Sequence, residues 1–224
     1  MAAARAAGMF SLADGCRAVG TLTRLMGALP KGGAMAALEA SPQELGLGPG
    51  VVVAAVNGPR AVVVSGDRDA VTAVREEWAG RGRRTGALRT DVAAHSAHLD
   101  PPLDAYRRTL ETLDLRAPRL PLVSDITAKP VGAETATAEF WVRELREPVR
   151  FADAVGLLAQ GGVTTYLELG PGEVPAGLLD GCLPGGEAEP SSPRRPATGG
   201  TCTKSTRNTG SDDCVSAPPA ADVG

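Results

Sequence analysis

Residues 51–67, VVVAAVNGPRAVVVSGD, constrain the fold more than any other stretch of this chain. Two runs rich in valine, Val51 to Val56 and Ala61 to Ser65, flank Asn57-Gly58-Pro59. β-Branched side chains favour extended backbone, and Asn-Gly supplies the positive φ of a turn between paired strands. The spacing therefore predicts two neighbouring strands joined by a tight turn. A two-stranded hairpin is marginal in water, so the flanking sequence has to supply more sheet and a covering helix.

That sequence is present on both sides. Ala34 to Ala40 reads as a strand, and Ser41, Pro42 and Gln43 open a short helix that ends near Gly46. After the hairpin, Asp67 or Asp69 can cap a helix with Val71, Val74 and Trp78 on one face, and Thr85 to Leu88 reads as a fourth strand. The order β-α-β-β-α-β is the split pattern of a ferredoxin-like unit, here residues 34–90. So small a unit buries little alone, which predicts an insert seated against a larger body formed by residues 1–33 and 91–182.

The larger part is helical in texture. Residues 2–9 are alanine-rich and lack a capping signal; Ser11 and Asp14 then form a capping pair for a helix. Leu12, Cys16, Val19, Leu22 and Met26 follow at helical spacing as its expected buried stripe, and Pro30, Gly32 and Gly33 end it. Leu103 to Leu113 is amphipathic, with Leu103, Tyr106, Leu110 and Leu113 inward. Leu122-Val123-Ser124 is a short strand, Thr137 to Leu145 a helix, and Pro148 introduces another carrying Phe151, Val155 and Leu158. Thr165 to Leu169 reads as a strand running into Gly170-Pro171-Gly172 and the apolar Val174 to Leu179. Residues 183–224 lack periodicity and aromatic residues and are rich in Pro, Gly, Ser and Thr, which predicts a disordered tail.

Composition excludes several function classes. A hydrophobic content of 43% supports a real core, and 3% aromatics with 28 glycines suits close-packed helices over a sheet better than an aromatic-rich sandwich. The net charge of -3 gives no electrostatic footprint for nucleic acid, and Arg81, Arg83 and Arg84 lack interleaved aromatics, so they read as a solvated helix end. No span of 18 apolar residues crosses a membrane, and the start lacks the parts of a signal peptide. Cys16, Cys182, Cys202 and Cys214 have neither C-x-x-C nor metal-ligand spacing, so no metal site is expected, and a reducing, cytoplasmic setting is the simplest assumption.

Chemistry concentrates in residues 90–100, TDVAAHSAHLD, which hold both histidines of the chain. A neutral imidazole can serve as general base near neutral pH, but it needs a nucleophile. No G-x-S-x-G elbow occurs; Ser96 adjoins a histidine and Ser65 lies in strand sequence.

Seven segments in order, AAGMFSLADGCR, LPKGGAMAAL, VVVAAVNGPRAVVVSGD, AAHSAHLDPPLD, PLVSDITAKPV, FWVRELREPVRFADAV and YLELGPG, resemble the acyltransferase domains of modular type I polyketide synthases and the related malonyl-CoA:acyl carrier protein transacylases. The resemblance covers about Met1 to Cys182. It implies an α/β-hydrolase-like body interrupted by a ferredoxin-like subdomain. It implies ping-pong transfer of an acyl group from acyl-CoA, through a serine in a GHSxG elbow, to the phosphopantetheine thiol of an acyl carrier protein, with neighbouring synthase domains as further partners and no bound cofactor.

In the family the base lies in a motif usually written YASH or HAFH. Val92-Ala93-Ala94-His95 stands there, which gives His95 the base role, makes Val92, Ala93 and Ala94 specificity positions, and leaves His98 a structural one. A backbone carbonyl near Gln160, Gly161 and Gly162 is expected to orient the imidazole. Where family members carry an arginine for a malonyl-type carboxylate, this chain has Leu22, and Arg24 matches the family's second arginine, so the resemblance implies a weakened carboxylate site and leaves uncharged starter units open. Because the elbow should lie just before residues 2–10, the expectation is an N-terminally truncated fragment, inactive alone. A carrier-protein docking or scaffolding remnant, and a thioester hydrolase once the missing segment is restored, are the alternatives.

Overall fold

A computed structural model describes residues 1–168 and 174–183; the expected Gly170-Pro171-Gly172 turn and nearly all of the expected tail lie outside the described residues. Described elements run α1 (Ala2–Ala6), α2 (Leu12–Gly27), β1 (Gly33–Leu38), β2 (Val51–Gly58), β3 (Ala61–Asp67), α3 (Arg68–Gly80), β4 (Thr85–Ala87), α4 (Asp100–Leu110), α5 (Ala138–Arg146), α6 (Phe151–Gln160) and α7 (Val174–Leu179). The class is α/β. The chain divides into two compact units, Met1–Ala154 and Val155–Gly224.

In the first unit, four strands form an antiparallel sheet in the order β2-β3-β1-β4. The segment between β1 and β2, expected as a short helix, is a single 3-10 turn over Pro42–Glu44; Glu44 Oε2 accepts the Ser41 amide at 2.8 Å, closing a capping box. The hairpin forms, with a different turn from the one Asn-Gly predicts. Gly58 pairs with Ala61, so the turn residues are Pro59 and Arg60, and Gly58 is not among the glycines with positive φ. Proline fixes φ for the second position of an ordinary turn, and two register shifts, at Val53/Ala55 and Val56/Gly58, adjust strands that such a turn would splay.

One face of the sheet is closed by α3. Val71 and Trp78 are buried against Ala36, Leu38, Val62 and Val64, with Val74 half-buried beside them. The Arg81 and Arg83 guanidiniums lie 5.0 and 5.9 Å from the Trp78 ring, and Arg83 reaches Glu44 at 2.9 Å. Two of the basic residues that follow α3 thus lie over the ring of a buried indole.

A second apolar cluster gathers α1, α2, α4 and α5. Met9, Phe10, Ala18, Tyr106, Leu110, Phe140 and Trp141 are among its buried members. Ser11 caps α2 as the sequence predicts, its Oγ accepting the Asp14 amide at 3.0 Å. The expected buried stripe of α2 is met only in part, at Leu22. Leu12 and Val19 are 67% and 45% exposed and Cys16 is exposed, whereas Ala18 is buried and Leu22 and Leu25 pack on the cluster. Both rows have helical spacing, and the side that meets α4 is the one with the small Ala18, which permits close approach.

Leu122-Val123-Ser124 makes only one bridge, Val123 to Pro130, because the chain turns at once; Ser124 Oγ accepts the Ile126 and Thr127 amides at 3.2 Å each. In the second unit, Thr165 to Glu168 joins no ladder among the described residues, so the strand expected there is not formed in them; Leu169 lies outside. Extended backbone becomes a strand only where a neighbour offers its amides and carbonyls.

Trp141 ties this helical cluster together. Its ring meets Phe10 and Phe140 edge-on at 5.6 and 5.4 Å, and its Nε1–H donates to the Thr135 carbonyl at 3.0 Å. Trp141→Ala is expected to lower unfolding free energy by about 3–5 kcal/mol, and Trp141→Phe by less, measured by urea unfolding.

Glu144 is a half-buried carboxyl on the same helix. Burial first, then the neighbouring Asp125, push its pKa from 4.5 up to about 8, against the opposing pull of the Ser124 hydroxyl and the Met1 ammonium. Below about pH 4.5 the carboxyl is protonated in both folded and unfolded chains, and its share of the stability is intact. As pH rises toward about 8 the unfolded chain gives up the proton and the folded one holds it, so stability falls. Glu144→Gln should remove this dependence: thermal scans should show a difference in midpoint that opens in the variant's favour between those two values.

Candidate functional site

The histidine loop is built by close backbone packing. After β4, Thr90 Oγ1 accepts the Val92 amide at 3.1 Å, and Ala93 is fully buried. A Cβ on Gly33 would stand 2.6 Å from the Ala93 nitrogen, so the strand leading into the sheet and the loop leaving it lie backbone against backbone. The small residues of VAAHSA follow from this contact. His95 sits at the tip with φ 58, a left-handed conformation that a side-chain-bearing residue adopts only where its surroundings impose it. Ser96, 2% exposed, braces the tip: its Oγ donates to the Ala93 carbonyl at 2.8 Å and accepts the His98 amide at 3.2 Å.

His95 Nδ1 lies 2.7 Å from the Glu147 carbonyl oxygen. A carbonyl has no proton to give, so Nδ1 donates, and in the neutral ring the lone pair belongs to Nε2. The half-buried imidazole is thereby fixed in one tautomer.

The partner is Glu147 rather than the expected Gln160, Gly161 or Gly162, because Nδ1 carries a single proton and that proton is committed. Pro148 explains the choice. A residue before proline is driven to extended backbone, and Glu147, at φ −80 and ψ 153, ends α5 with its carbonyl released from the helix. Val149 then clasps the edge of β2, its amide donating to Ala54 at 2.8 Å and its carbonyl accepting from Val56 at 2.8 Å. The carbonyl facing His95 is held from both sides. The Glu-Pro pair was the available sequence signal.

His98 Nε2 lies 2.7 Å from Asp67 Oδ1. A carboxylate accepts, so here Nε2 is the protonated nitrogen, the reverse of His95. Neither Asp67 nor Ser96 has a sequence pattern that marks it as a partner of the histidine loop.

The residues expected from the resemblance to set specificity fall in two places. Val92 and Ala94 are half-buried beside buried Ala93 in the loop; Leu22 packs on the helical cluster, and exposed Arg24 reaches Thr21 Oγ1 at 3.5 Å within α2. No hydrogen bond or ion pair among the described residues joins Leu22 or Arg24 to His95. A cavity of about 660 Å³ opens beside the loop, lined among others by Lys31, Val51, Ser65, Asp67, Val92 and His98. Among the described residues no group of three or more His, Cys, Asp or Glu is arranged to hold a metal, and no helix is long and apolar enough to cross a membrane.

Residues 1–176 match the family model described as the acyl transferase domain. The polyketide synthase GfsA of Streptomyces halstedii is 45% identical over 84% of this chain and 3% of its own length. Among solved structures, the acyltransferase domain from the second module of the salinomycin polyketide synthase superposes with a TM-score of 0.76 at 44% identity, over 84% of this chain and 45% of that one. FabD from Acinetobacter baumannii gives 0.72 at 26% identity, over 78% of this chain and 59% of that one. The chain thus spans a small part of the curated synthase and less than half of the solved synthase domain. The range of the family match includes the histidine loop and Glu147, and the chain belongs to the acyl transferase domain family of type I polyketide synthases, related to the malonyl-CoA:acyl carrier protein transacylases.

Proposed function

We infer that these residues supply the general-base half of an acyl transfer site. The observation that carries the reading is the 2.7 Å contact between His95 Nδ1 and the Glu147 carbonyl, which leaves the Nε2 lone pair to take a proton. In this reading a serine hydroxyl gives that proton to His95 as its oxygen attacks the thioester of an acyl-CoA. The CoA thiolate leaves, and the imidazolium returns the proton to it. An acyl carrier protein's phosphopantetheine thiol then gives its own proton to His95 and attacks the acyl-serine, whose oxygen recovers that proton as it leaves.

The nucleophile is not among the 224 residues, which contain no G-x-S-x-G. We therefore assign acyl transfer to these residues acting together with a serine-bearing segment, and none to the 224 residues by themselves. Neighbouring synthase domains are the natural setting. Residues 34–90 are assigned to a ferredoxin-like insert; the antiparallel order β2-β3-β1-β4 supports this, with the first helix reduced to one 3-10 turn. Residues 1–33 and 91–182 are assigned to the larger, hydrolase-like body.

Leu22 lies against the hydrophobic cluster and offers no charge to a substrate carboxylate. This supports an uncharged acyl unit, or a malonyl-type unit held weakly. Val92, Ala93 and Ala94 are small and favour a bulky acyl group over a tight fit.

Incubated with labelled acyl-CoA, the 224-residue chain should form no acyl adduct in intact-protein mass spectrometry; an adduct there would overturn the assignment. Joined to the GHSxG-bearing segment of a related acyltransferase domain, it should acylate, and His95→Ala should slow transfer by about 10²–10⁴-fold. An unchanged rate in that variant would remove His95 from the base role.

A further inference from the structure

Asp67 holds the N-cap position of α3, where an aspartate ordinarily accepts an amide from the first turn of its helix. It makes no such bond. Its Oδ1 lies instead 2.7 Å from His98 Nε2, across from Gly50, where a Cβ would stand 2.4 Å from Asp67 Oδ2. The backbone around it is fixed: Asp67 donates its amide to Gly50 at 2.8 Å, and Arg68 donates to Gly32 at 2.9 Å. A carboxylate on a rigid strand end has thus given up its helix cap to hold an imidazole on another segment.

That imidazole is three residues from His95 and linked to it through Ser96. The loop is consequently pinned on both sides of its strained tip, by Glu147 on the His95 ring and by Asp67 on the His98 ring. A φ of 58 at a histidine persists only where the surrounding contacts over-determine it. Ser96 spans the tip from within, and the backbone contact of Ala93 with Gly33 seats the loop on β1 ahead of His95, so the Asp67–His98 contact is the tie that follows the tip.

We propose that Asp67 and His98 form a positioning pair that holds the loop so that His95 keeps Nδ1–H on the Glu147 carbonyl and its Nε2 lone pair exposed for proton transfer. The proposal rests on the reading of His95 as base. Neither member of the pair is a catalytic residue; both act through His95.

The chain has only two histidines, so ¹⁵N-labelled protein gives two imidazole spin systems whose tautomers can be read directly. In the 224-residue chain near neutral pH, His95 should be Nδ1-protonated and His98 Nε2-protonated. Asp67→Ala and His98→Ala should each shift His95 from a single tautomer to the mixture of a free imidazole. Asp67→Asn, whose amide oxygen can accept the same hydrogen bond, should restore the single form. A His95 tautomer unmoved in both alanine variants overturns the proposal, as does loss of the fold in both, which would make the pair a plain structural tie. The readout involves no acyl transfer. Failure of the serine-bearing domain to acylate would therefore count against the functional reading while leaving this result standing.

Discussion

Pro148 decides how the two halves of the first unit meet. By forbidding helical backbone at Glu147 it ends α5 there, turns one carbonyl out of the helix and delivers Val149 to the open edge of β2. The helical cluster is thereby tied to the sheet by backbone hydrogen bonds, and the released carbonyl faces the only imidazole placed to use it. A different residue at 148 could continue α5 by a turn. The carbonyl would then be spent inside the helix, Val149 would leave β2, and His95 would lose the acceptor that sets its tautomer.

Close backbone approaches do comparable work on the sheet side. Gly66, at φ 156, lies so near Gly50 that a Cβ would stand 1.9 Å from the Gly50 oxygen. This contact brings the start of β2 against the end of β3, where Asp67 emerges. Gly33 does the same against Ala93. Side chains at these points would separate segments whose only connection is main chain to main chain, so glycine and alanine here reflect packing geometry as well as composition.

What the sequence revealed and what it hid divide along a physical line. Elements specified by their own residues were legible: the Ser11 cap, the valine-rich hairpin, and the Val71, Val74, Trp78 face. Choices among locally equivalent options were not. Two rows on α2 have helical spacing and share Leu22, and only the neighbouring α4 decides that Ala18 and Leu25 turn inward with it while Leu12 and Val19 stay out. Asn57-Gly58 and Pro59-Arg60 can each make a turn, and the register of the whole sheet selects the second. His95 was found through its motif, but its acceptor lies 52 residues away and depends on where α5 stops. The Glu-Pro signal marks a helix end without saying what faces it.

The two histidines show how one loop can hold identical side chains in opposite states. Each ring has one nitrogen committed to a fixed acceptor, and the acceptor determines which nitrogen keeps a lone pair. For His95 the acceptor takes Nδ1, so in the neutral ring the lone pair belongs to Nε2, the nitrogen that the proposed base role requires. For His98 the carboxylate takes the distal Nε2 as its donor. Spacing in sequence makes the two equivalent. The position of one carbonyl and one carboxylate engages a different ring nitrogen in each.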